Sequence, residues 1–116
     1  MLTNYEEIGN ISVLRTSTYR LTSADLVVLN RMRDQMQRRG RIAMLVDLAG
    51  IKRITRSGMA ALVEFATSFR LGTRIGFFGA LEPIAKELSA CPFMTQLPYF
   101  NTLDQGLAAP EFQSLR

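Results

Sequence analysis

Residues 42–59 read Ile-Ala-Met-Leu-Val-Asp-Leu-Ala-Gly-Ile-Lys-Arg-Ile-Thr-Arg-Ser-Gly-Met. The run 42–48 is compact and apolar, too short for an ordinary helix, and it reads as a strand buried on both faces at the centre of a sheet. Asp47 stands near its end and Gly50 just beyond it, where the chain is expected to leave the sheet in a loop. From Ser57 the period changes. Met59, Leu62, Val63, Ala66 and Phe69 recur at helical spacing, and Gly72 offers an exit, so a helix is expected to start near Ser57.

Working towards the C-terminus, residues 74–78 form a further strand, and 81–91 a helix with Pro83 in its first turn and Pro92 just past its end. A short strand at 98–100 follows. Asn101 or Thr102 can then cap a last helix through Leu107, leaving residues 109–116 as a frayed tail. Towards the N-terminus, residues 5–15 alternate like two strands joined by a tight turn at Gly9 and Asn10. Thr22 and Asp25 have the spacing of a capping box, with Leu21 packing on Leu26, ahead of a helix to Arg39 whose buried face carries Leu26, Leu29, Met32 and Met36. The order strand, strand, helix, then alternating strands and helices implies parallel strands joined by right-handed crossovers.

The chain has 116 residues, 47% hydrophobic and 21% charged, enough for one core, so residues 1–116 are expected to form a single domain with its core at about 5–108. Fourteen basic against ten acidic residues give a net charge of +4, a modest excess without the aromatic stacking residues of a nucleic-acid site. No histidine is present and the single cysteine is Cys91, which argues against a metal site and against Ser-His or Cys-His catalysis. The best isolated acid is Asp47, at a strand end, and a catalytic pair of Asp47 with Glu64 is disfavoured. No cofactor and no enzymatic activity are expected. There is no long apolar stretch and no secretory leader pattern, so a cytoplasmic protein without membrane insertion is expected.

The strand ending in Asp47, the Ile54-x-x-Ser57-Gly58-Met59 helix start, and the strand, helix and short capped helix that follow resemble the core of the STAS (sulfate transporter and anti-sigma factor antagonist) family. Thr22 and the helix after it also fit. The resemblance implies an α/β domain, a mixed sheet of about five strands backed by about four helices, acting as a non-catalytic interaction module. Free-standing bacterial members resemble anti-sigma factor antagonists, which dock onto a GHKL-type serine kinase or anti-sigma factor in partner switching. Family members carry Asp-Ser-Ser/Thr-Gly before the second helix, with the first Ser as phosphoacceptor. Here the matching residues are Thr55, Arg56, Ser57 and Gly58, so Arg56 occupies the phosphoacceptor position and the usual switch is missing. The family's upstream Gly-x-Leu-Asp is also absent; this chain has Thr16, Ser17, Thr18, Tyr19 and Arg20.

The candidate docking residues are therefore Lys52, Arg53, Thr55, Arg56, Ser57 and Met59, with the first two and Arg56 forming a basic loop. One reading is permanent docking on an acidic patch of a protein partner. The other is a solvated loop with Ser57 capping a helix. Ser57 or Thr55 remains a candidate phosphoacceptor, and an anion at the helix start is a further, weaker reading. From another class, the resemblance also allows an accessory subunit of a membrane transporter or lipid-transport ABC ATPase, and a homodimer stays open.

Overall fold

The computed structural model describes residues 1–116, with the predicted apolar run at the middle of its sheet. Strand β1 (Leu2–Ile8) turns at Gly9 and Asn10 into β2 (Ile11–Leu21), Gly9 taking a φ of +59° that favours glycine. Helix α1 (Leu26–Arg38) leads to β3 (Ala43–Ile54), α2 (Arg56–Thr67), β4 (Arg74–Phe78), α3 (Glu82–Ser89) and β5 (Tyr99–Phe100). Two short helices, α4 (Leu103–Ala108) and α5 (Pro110–Gln113), end the chain. The five strands lie in the order of the chain, β1 antiparallel to β2 and the other neighbours parallel.

Alternation along β3 divides the core into two layers. Met44, Val46 and Leu48 face α1, α2 and α3, packing with Leu29, Met36, Leu62, Phe65 and Ile84. Ala43 and Leu45 face the other way, with Ile11, Val13, Leu107 and Phe112. A strand covered by helices on both faces needs apolar side chains at consecutive positions, which is why residues 42–48 carry no polar alternation.

Two expectations are corrected here. Residues 109–116 do not fray: Pro110 starts α5, and Phe112 is fully buried with its ring edge-on to Phe100 at 6.0 Å. Without that ring the face of Ile11, Val13 and Leu45 would lie open to water, and burying a phenylalanine there contributes roughly 1.5–3 kcal/mol. The mixed sheet of five strands with five helices agrees with the expected α/β architecture. Strand β3 also continues through Gly50 to Ile54, because its second half pairs with β2 as far as Leu21 while its pairing with β4 stops at Asp47. Lys52 and Arg53 thus lie on a strand and not in a loop.

The edge hairpin is tied to the α1–β3 connection by Glu7. Its carboxylate accepts two hydrogen bonds from Arg39, both 2.8 Å, and one from Arg41 at 3.3 Å. These bonds, that of Arg39 foremost, hold the Glu7 carboxyl at about 2 instead of its usual 4.5. A folded-state pKa below the unfolded one stabilises fully above the unfolded value and is lost as pH falls towards the folded one. Between pH 4.5 and about 2 the wild type should therefore lose stability faster than a Glu7→Gln variant, as read from urea midpoints across that range.

Candidate functional site

Helix α2 begins where the chain leaves β3, beside the end of β2. Thr55 is its N-cap: the hydroxyl oxygen accepts the Gly58 amide at 2.9 Å, while the hydroxyl and amide of Thr55 both donate to the Leu21 carbonyl at 3.1 Å. Ser57 is therefore not the cap. It sits in the first turn, exposed, with its Oγ 3.1 Å from the Thr55 hydroxyl and accepting the Ser23 amide at 3.3 Å. A Cβ on Gly58 would lie 2.0 Å from the Leu21 carbonyl oxygen, so only glycine lets α2 approach β2 this closely.

The opposite side of this contact is built by the capping box read from the sequence. Ala24 donates its amide to the Thr22 hydroxyl at 3.3 Å, and Thr22 donates its own to Asp25 at 2.9 Å. The box opens a single 3-10 turn, Ser23–Asp25, before α1 begins at Leu26. The side groups of Thr55 and Thr22 are thus spent on fixing two adjacent helix starts, and Arg56 is left pointing into solvent.

Arg56 stands in the first turn of α2 with no acidic residue in that turn and no ion pair. A cation at the positive end of a helix dipole costs about 0.3–1 kcal/mol. Arg20 is directly opposite Arg53 in the β2–β3 register, a like-charge pairing that also costs stability. Arg53 donates to the Tyr19 hydroxyl at 3.3 Å, and this bond with the neighbouring guanidinium charge pulls the Tyr19 phenol below its ordinary value. Lys52, Arg53 and Arg56 are exposed, and Met59 is half-buried against the core. The six residues singled out in the sequence therefore cluster at one end of the sheet.

Asp47 lies inside β3 and not at a loop, and it braces the strand where the register with β2 shifts. Its carboxylate accepts the Ala49 amide at 2.9 Å and a 2.7 Å bond from Arg15, while its carbonyl accepts the Thr16 hydroxyl at 2.8 Å across a bulge in β2. Glu64 is exposed on α2, and its carboxylate makes no ion pair or hydrogen bond, so nothing joins it to Asp47. Sequence reasoning passed over Tyr19 as a site residue, as well as Ser23, Ile54 and Glu87. They come together only through the β2–β3 register and the α3 crossover, which leave no short-range signal. No helix of the protein is long and apolar enough to cross a membrane.

No protein-family model matches the sequence, and no curated protein matches it by sequence. The fold does match solved structures. An anti-sigma factor antagonist from Mycobacterium paratuberculosis superposes with a TM-score of 0.78 at 19% identity, covering 95% of this chain and 93% of the other. A Thermotoga maritima structure described as an anti-sigma factor antagonist gives 0.79 at 13% identity, covering 96% and 94%. The anti-sigma factor antagonist SpoIIAA in its unphosphorylated form gives 0.63 at 10% identity, covering 91% and 94%. The chain has the STAS fold, the α/β fold of these antagonists.

Gly58→Ala provides a test of the close approach. An alanine in a helix ordinarily stabilises by roughly 1 kcal/mol over glycine, but here the methyl must displace backbone, and a loss of about 1–3 kcal/mol in urea unfolding is expected. Unchanged or raised stability would contradict the contact.

Proposed function

We propose that this protein is a non-catalytic regulatory module of bacterial partner switching, resembling an anti-sigma factor antagonist, that docks through the start of α2 onto a GHKL-type serine kinase or anti-sigma factor. The observation that carries the reading is Arg56: an exposed cation without a counter-ion, held in the first turn of a helix whose dipole disfavours it. Fold stability does not account for such a residue, whereas an acidic surface on a partner does. The likeness to solved antagonists supports the same reading at the level of the fold.

Arg56 also defines how this module differs from a phosphorylated antagonist. Phosphate on a serine at that position would add nearly two negative charges and repel an acidic partner. A guanidinium in its place carries a fixed positive charge, so docking is constitutive at that position. Of the two hydroxyls beside it, Thr55 is committed to the cap and to the Leu21 carbonyl, and phosphorylating it would break both. Ser57 is exposed and is the hydroxyl that a kinase could reach without unravelling α2.

The test is affinity capture from the source cell with wild-type and Arg56→Ser baits, the bound proteins and phosphorylated residues identified by mass spectrometry. A kinase-type partner held by the wild type, and released from the variant as its new hydroxyl becomes phosphorylated, is the expected result. Capture of a transporter ATPase instead would favour the accessory-subunit reading and overturn this one.

A further inference from the structure

A groove of about 620 Å³ runs from Tyr19 along the end of β3 to α3, with Lys52, Arg53 and Ile54 on one wall and Pro83, Ile84 and Glu87 on the other. Ile54 and Glu87 also border an adjoining depression of about 360 Å³ beside Thr55, Arg56 and Met59, so the groove continues into the start of α2. Its charge is predominantly positive, Glu87 being the one acid in its lining. Lys52, Arg53 and Arg56 line it, Arg20 lies next to Arg53 on β2, and none of the four is in an ion pair. Tyr19, which also lines the groove, is 65% exposed.

We propose that this groove takes an acidic peptide segment of a protein partner, an apolar side chain resting on Ile54 and Pro83 between carboxylates that pair with Lys52, Arg53 and Arg56. The inference rests on the reading of the α2 start as a docking surface and extends that surface to α3. Three features favour a peptide over other polyanions. The groove carries apolar surface between its charges, which a phosphate backbone does not use. Glu87 on the α3 wall can accept peptide amides, donors that a phosphate backbone lacks. The site is concave, whereas a bilayer presents a flat charged face. Tyr19 supplies the amphipathic ring that interfaces favour, apolar on its face and tethered through its hydroxyl to Arg53.

The purified chain should bind a fluorescein-labelled Asp-Glu-Leu-Asp-Glu-Leu-Asp peptide, followed by anisotropy at low salt. The double variant Lys52→Glu/Arg53→Glu should weaken binding about tenfold or more. The variant Arg38→Glu/Arg70→Glu, of equal net charge but on a different surface, should change it by less than about twofold. Replacing both leucines of the peptide by serine should also weaken it several-fold. Equal losses in the two double variants, no binding by the wild type, or tighter binding of an oligothymidylate or of anionic phosphatidylserine vesicles would overturn the inference. Failure of the peptide while affinity capture still recovers a kinase-type partner would reject the groove alone. Peptide binding with capture of only a transporter ATPase would reject the partner-switching reading and keep the groove.

Discussion

The Leu21 carbonyl is the point on which the geometry of the proposed docking end depends. It receives both the amide and the hydroxyl of Thr55, and it lies so close to Gly58 that no larger residue fits there. That single acceptor therefore sets where β3 stops, where α2 begins and how near α2 lies to β2. The sheet below is rigid because β3 is buried on both faces. The backbone that carries Lys52, Arg53 and Arg56 is consequently fixed by β2–β3 pairing and the α2 cap, while their exposed side chains must still be ordered by any partner that uses them.

Most of the fold was legible in the sequence because it rests on periodicity. The uninterrupted apolar run at 42–48, the helical spacing from Met59 to Phe69, and the capping box of Thr22 and Asp25 each report a local environment. The errors arose where local pattern and tertiary context diverge. Gly50 looked like a chain exit, yet it stays in β3: a Cβ there would meet the Thr16 carbonyl at 2.3 Å, so the glycine serves close strand approach at the bulge. Phe112 looked like tail because its partners Ile11, Val13 and Leu45 are remote in sequence. Phe65, fully buried, was left out of the α2 stripe because the helix turns a wider face to the core than the stripe assumed.

The candidate site was legible as a cluster of residue types but not as a geometry. Arg56 and Ser57 were found from their neighbours in sequence, whereas the identity of the cap was not, since Thr55 and Ser57 are both good N-cap residues and only the position of the Leu21 carbonyl decides between them. The charge arrangement carries the functional argument. Arg56 against a helix dipole and Arg20 beside Arg53 each lower stability slightly, and neither is compensated within the chain. Uncompensated like charges gathered at one end of the fold are the feature on which the proposed docking to an acidic partner rests.

Amide hydrogen exchange on the captured complex, compared with the free protein, tests this account most directly. It predicts added protection concentrated at residues 19–24 and 52–59, where the ends of β2 and β3 and the start of α2 meet. Protection confined to the β1 edge or to the exposed face of α1, with residues 52–59 unchanged, would contradict it.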